Sequence, residues 1–319
     1  MTERVGEQRL SIRRCVGTAL GATLLVVAVS YVAAHWQDVA RELTLRPRWL
    51  AAAVAGEVAL ACLRAATLRE ACRTFGVQLG RVEAAALVSW ANLANYVVTA
   101  AGGIGIRAAY LRRRHGLDLA GFASLLTTLY AVQFLLLALA GSAATWWSRG
   151  DLGRDATLSL LLLFGLVCAA SATLLAWPFR PPAGEVFLAR TVRRVVEGWR
   201  LLSATSLTRL LCWLLLYVVV GWGLTATYFE LLGWSLEADQ ALLLSALSEV
   251  SVLGAVTPGG LGILESALAL GARLAGAPLA VGLAVAGLRR LVTILVSAAL
   301  ASLRTPWSRH PENGRAGTA

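Results

Sequence analysis

Five charged residues stand in or beside apolar stretches of this 319-residue chain: Glu57, Glu249, Glu265, Arg289 and Arg290. A charge in such a setting is expensive, and it normally faces a polar cavity or an opposite charge. Arginine offers a planar fork of donors that fits phosphate or carboxylate, and a glutamate can hold that fork in place. The spacing therefore points to binding of an anionic group rather than to bond-breaking. His35, His115 and His310 are far apart, and no nucleophile motif, phosphate-binding loop or metal-ligand spacing occurs. "GGIGIR" lacks the strand and helix of a dinucleotide fold. No catalytic residue, metal or cofactor is expected. Glu57 is the one carboxylate that loosely suits a transferase.

The elements that must carry these charges are membrane helices. Hydrophobic residues make up 58% of the chain and charged residues 15%, against about 25% charged in a soluble domain. All 29 basic residues are arginine, and the net charge of +11 is spread over loops between apolar runs. Cytoplasmic loops and anionic headgroups account for it without nucleic acid. The scattered cysteines (Cys15, Cys62, Cys72, Cys168 and Cys212) form neither a metal site nor a disulfide framework. Arg4, Arg9, Arg13 and Arg14 precede the first apolar run. That run is too long for a signal peptide core and reads as a span starting inside.

Apolar segments fall near 16–36, 49–68, 84–101, 119–146, 156–178, 206–229, 240–256 and 278–303. Tryptophans such as Trp36, Trp49, Trp146, Trp147 and Trp234 mark their ends, as an interfacial belt does. Arginines crowd 64–81 and 107–115, on both sides of the 84–101 run. If that run crossed, one arginine-rich loop would lie outside. A better fit has 84–101 entering from the cytoplasm and turning at "AAGGIG", and 240–256 entering from outside and turning at "TPGGLG". Gly102, Gly103 and Gly105 then make one turn; Pro258, Gly259, Gly260 and Gly262 make the other. Glycine suits the backbone angles and close approach that such turns need. The expected fold is all-α and polytopic: six full spans, two re-entrant hairpins and both termini cytoplasmic. Eight ordinary spans would leave the termini on the same side.

The two glycine turns align at a shift of 157 residues, as do the flanking spans. With re-entrant turns the halves, about 16–146 and 156–303, become an inverted repeat, a pattern of transporters with sites at mid-membrane. The shift also matches Asn92 to Glu249 and Gln133 to Arg290. At roughly 1.5 Å of rise per residue, Arg289 and Glu249 reach similar depths and could pair. The segment 185–204 has a basic face and an apolar face, so it is expected to lie on an anionic membrane surface. Residues 1–304 then form a single membrane domain, and 305–319 a disordered cytoplasmic tail.

"TPGGLGILE" before a last span bearing arginine, together with "NLANYVVTAAGGIGIRAAYL", resembles the transmembrane domain of lysylphosphatidylglycerol synthase/flippase proteins. The resemblance covers roughly residues 10–303. In that family the first stretch commonly carries a proline and a Gly-Glu-x-x-Arg core. Gly103 and Arg107 match it, Ile104 stands in place of the glutamate, and the proline is absent. The resemblance implies lipid translocation between leaflets of the cell membrane. The chain ends 16 residues after its last expected span, so the aminoacyltransferase domain of bifunctional members is not expected. Arg289, Arg290, Arg107, Glu249, Glu265, Asn92 and Glu57 are the candidate substrate-binding residues. Their expected partner is an anionic phospholipid or a lipid-linked substrate with a polar headgroup. A secondary transporter of a small anion, or a subunit assisting a lipid-modifying transferase, remain the alternatives.

Overall fold

Long runs of leucine, alanine and valine without interior proline become long helices in the computed structural model. The structure describes residues 45–97, 101–176, 204–254, 257 and 260–303. The expected first span at 16–36, Pro258, Gly259 and the tail from 305 lie outside these residues, as does all of 185–204 but its last residue. The helices are α1 Arg48–Thr74, α2 Arg81–Val97, α3 Ala101–His115, α4 Leu119–Trp147 and the one-turn α5 Arg149–Leu152. They continue with α6 Arg154–Ala176, α7 Ala204–Leu231, α8 Ala238–Val250, α9 Ile263–Leu274 and α10 Leu279–Ser302. A 3₁₀ turn, Ser251–Gly254, extends α8. No strand occurs among the described residues.

Five helices (α1, α4, α6, α7 and α10) are long and apolar enough to cross a membrane, at 22 to 29 residues each. A hydrocarbon core needs about 20. Their outward faces stay apolar: Leu162 and Leu166 of α6 are 73% and 71% exposed. Such surface is stable in lipid and costly in water. The other two apolar segments stop early. After α2 the chain breaks and α3 packs back on it; after α8 and its 3₁₀ turn, α9 does the same.

Helix boundaries recur at the 157-residue shift. Moving α1 by 157 gives 205–231, against the observed Ala204–Leu231. Moving α2 gives 238–254, the extent of α8 plus its 3₁₀ turn. The local chemistry recurs as well. Gly76 and Gly233, 157 apart, end α1 and α7 with φ of +74° and +86°. There the Val77 and Trp234 amides donate to Cys72 and Phe229 carbonyls, the C-terminal motif that a left-handed glycine permits. Glu83 and Gln240 both reach back to the backbone amide three residues earlier, at 3.1 Å, which closes the first turn of a helix. Packing follows the same exchange. α1 lies on α7, α2 lies on α10, and α8 lies on α4.

Polar contacts collect at two ends of the bundle. Beside the start of α1, Arg46 pairs with Glu230 at 2.7 Å, and Ser148, at the end of α4, donates to Asp239 in the first turn of α8 at 2.6 Å. Near the end of α1, about 40 Å along a helix of that length, Glu70 meets Arg73 and Arg209.

Candidate functional site

Where α2 and α8 stop, they leave a cavity of about 170 Å³ between α1, α2, α8, α9 and α10. A single water needs only roughly 10–15 Å³, so the space admits a polar group larger than water. Each element presents polar side chains by its own periodicity. On α1, Glu57 and Arg64 stand two turns apart on one face. On α2, Asn92, Asn95 and Tyr96 occupy the last turns. On α10, Arg289 and Arg290 are consecutive, so they leave the helix about 100° apart and serve different partners.

Arg289 holds one half of the site. Its guanidinium lies 2.9 Å from Glu249 Oε1 and 3.5 Å from Glu57 Oε1, and it donates to Ser248 Oγ at 3.2 Å. Glu249 is also 3.6 Å from Arg64 and accepts from the Tyr217 hydroxyl at 2.7 Å. Arg64 donates to that same hydroxyl at 3.0 Å, and Tyr228 donates to Glu57 at 3.2 Å. Buried ion pairs of this kind survive only when their remaining donors and acceptors are met. Here two tyrosines and a serine meet them.

Arg290 forms the other half. It pairs with Glu265 Oε1 at 2.6 Å and stacks over Tyr96, 5.6 Å from the ring centre. Glu265 Oε2 accepts from the Gly262 amide at 2.8 Å, so one carboxylate both caps α9 and aims the arginine. Gly260 and Gly262 have φ of +64° and +83°, which side-chain-bearing residues rarely adopt. That conformation turns the chain sharply into α9.

Of the residues expected at a binding site, Glu57, Asn92, Glu249, Arg289 and Arg290 line the cavity. Glu265 stands behind Arg290 instead of lining it. Arg107 is elsewhere: it donates to Tyr130 of α4 at 3.4 Å and does not line the cavity. At the first break, the Gly103 amide donates to Asn95 Oδ1 at 2.8 Å, and its α-carbon lies against the Ala91 carbonyl. Nothing lies within 4 Å of where Gly105 would carry a Cβ. Gly102, Gly103 and Gly105 do not form the expected turn: all three lie within the first turns of α3 with ordinary helical backbone.

Sequence reasoning missed Arg64, Asn95, Tyr96, Ser248 and Tyr217. Arg64 was assigned to a cytoplasmic arginine cluster, but α1 runs ten residues past it to Thr74. Its seven-residue spacing from Glu57 was the available signal. Tyr217 had none, since a tyrosine in an apolar run is ordinary.

A second cluster ties α2 to α3 away from the cavity. Glu83, at the start of α2, accepts from the Tyr110 hydroxyl, faces His115 Nε2 at 3.0 Å and lies 3.5 Å from Arg114. Burial pushes the Glu83 carboxyl up, but hydrogen bonds from Tyr110, the Gly80 amide and His115 outweigh it and hold the carboxyl below its usual range. A lowered carboxyl adds stability above the ordinary glutamate range and loses it as pH falls through the lowered value.

Comparison with curated proteins and with solved structures found no match. Comparison with protein families did: the model described as "Lysylphosphatidylglycerol synthase TM region" matches residues 15–301. That match takes in every described helix except the last residue of α10. The chain belongs to the lysylphosphatidylglycerol synthase transmembrane-region family.

Proposed function

We propose that the chain is a flippase-like membrane transporter that moves a lipid with an anionic or lipid-linked polar headgroup between leaflets. The observation that carries this reading is the cavity at the helix breaks, where Arg64, Arg289 and Arg290 converge between long apolar helices. A headgroup held there would be shielded from hydrocarbon while its acyl chains stay in lipid. Arginine forks bind phosphate through charge-assisted bonds roughly twice as strong as neutral ones. The test is leaflet exchange of fluorescent phosphatidylglycerol by the purified chain in vesicles. A rate equal to that of protein-free vesicles would sink the reading.

The membrane arrangement proposed with it has six full spans and two re-entrant hairpins, α2–α3 and α8–α9, in an inverted repeat. Residues 1–304 act as one membrane domain in the cell membrane, with both termini and the 185–204 surface helix cytoplasmic. The recurrence of boundaries at 157 residues and the sorting of ion pairs to two ends support it. A single cysteine at position 113, in a background lacking the five native cysteines, should react only with reagent supplied from the cytoplasmic side. Labelling from outside alone would rule out the re-entrant arrangement.

Transport without catalysis completes the proposal. The family match is to a transmembrane region, which supports this part of the reading. Incubated with charged tRNA and phosphatidylglycerol, the purified chain should yield no aminoacylated lipid above a boiled control by mass spectrometry. Robust synthesis would overturn the non-enzyme reading.

A further inference from the structure

The site carries as many carboxylates as guanidiniums. Arg64, Arg289 and Arg290 are matched by Glu57, Glu249 and Glu265, at separations of 2.6 to 3.6 Å. An anion arriving in this cavity finds no surplus positive charge. Its own charge would stay uncompensated where the effective dielectric constant is low. Either the anion is excluded, or something positive arrives with it.

Glu249 is placed to solve this. One of its oxygens faces both Arg289 and Arg64; the other accepts from Tyr217. Its side chain keeps 14% exposure, so cavity water can reach it. The ionisable groups around it are Arg64 from α1, Tyr217 from α7 and Arg289 from α10, with Glu57 sharing Arg289. Packed against α8, α4 carries no charged residue from Leu119 to Trp147, and Glu265 of α9 is held by Arg290. Glu57 is a poorer proton site, since it is only 3% exposed. Glu265 caps α9, where the helix end favours the charged form.

Resting on the transport reading above, we propose that a phosphate-type anion displaces Glu249 from Arg64 and Arg289, and that Glu249 takes one proton from water as it is released. An anion and a proton then cross together, with no net charge moved. Displacement leaves Glu249 beside an anion and without its guanidiniums; like charge and desolvation both favour the neutral acid. The Tyr217 hydroxyl, which donates to the carboxylate now, can turn to accept from the protonated form. On the far side the anion leaves, the proton returns to water, and both arginines close again on the carboxylate.

The test uses the full chain in phosphatidylcholine vesicles with trace fluorescent phosphatidylglycerol and a trapped pH dye. Wild-type lipid movement should be accompanied by proton movement in the same direction. A pH difference of one unit should hold an about tenfold difference in labelled lipid between leaflets, because each proton carries RT ln 10 per unit. Glu249→Gln, checked for folding by size-exclusion profile, should move lipid more slowly and ignore the gradient. Lipid movement in the wild type with no pH response overturns the coupling and leaves the transport reading intact. A Glu249→Gln protein that still couples overturns the assignment to Glu249. Proton movement driven by inorganic phosphate alone, with the lipid static, keeps the coupling and overturns the lipid reading. No movement of lipid or phosphate overturns both.

Discussion

Arg289→Ala should stop leaflet exchange of phosphatidylglycerol, and Arg290→Ala should do the same by a separate route. Arg289 loses contacts to Ser248, Glu249 and Glu57 together. Arg290 loses Glu265 and the face of Tyr96. A hydrogen bond to a charged group contributes about 1.5–3 kcal/mol, so two lost to a bound phosphate correspond to a hundredfold or greater fall in rate, at roughly 1.4 kcal/mol per tenfold. Breaking a buried pair also costs about 3–5 kcal/mol of stability, because Glu57 and Glu249 are left facing each other. Arg289→Lys separates the two effects: it keeps the charge and the fold but loses the fork. The expected result is a folded, inserted and inactive protein. Wild-type exchange by both alanine variants would make the cluster purely structural.

Gly282→Val should destabilise the protein where α9 and α10 meet. A Cβ at Gly282 would lie 2.5 Å from the Leu268 carbonyl oxygen and 2.6 Å from the Ala269 α-carbon. Both neighbours are α9 backbone, which cannot rotate aside as a side chain can. Overpacking of this sort costs about 1–3 kcal/mol in ordinary cores, and the rigid neighbour places this case at the upper end. Separating α9 from α10 would also pull Glu265 away from Arg290. Thermal unfolding in detergent should fall by several degrees, with exchange activity lost in parallel. Gly287→Ala on the same helix is the control, since nothing lies within 4 Å of its added Cβ. An unchanged melting temperature for Gly282→Val would show that the α9–α10 contact yields more easily than its geometry implies.

The legible parts of this molecule are those signalled by one residue at a time. A glycine or proline in an apolar run costs helix stability wherever it occurs, and Gly260 and Gly262 do turn the chain into α9, whereas Gly102, Gly103 and Gly105 were expected to turn and instead stand in the opening of α3. A charge amid leucines is likewise conspicuous alone, and Glu57, Glu249, Arg289 and Arg290 do reach one cavity. Asn92 was found through its match to Glu249 and lines the cavity too. What could not be read depends on helix phase and long-range pairing. Arg107 lies on a short helix whose rotation is set by Tyr110 and Arg114 reaching Glu83, and that rotation leaves it facing α4. Arg64 gains its meaning from Glu249, 185 residues later. A window along the chain reports hydrophobicity but not which faces will meet.

The packing of α2 on α10 has a consequence for how the protein is made. Trp90 donates to the Ala301 carbonyl at 3.2 Å, yet 181 residues separate the end of α2 from the start of α10. At synthesis rates of about 5–20 residues per second, the first hairpin waits roughly 10–40 seconds for the helix that completes its packing. During that interval Asn92, Asn95 and Tyr96 have neither Arg289 nor Arg290 opposite them. The hydrogen bond from Gly103 to Asn95 and the Glu83 contacts to Tyr110 and His115 all form within the hairpin itself. Bonds of this kind keep the nascent hairpin closed, ready for a partner that the ribosome has not yet delivered.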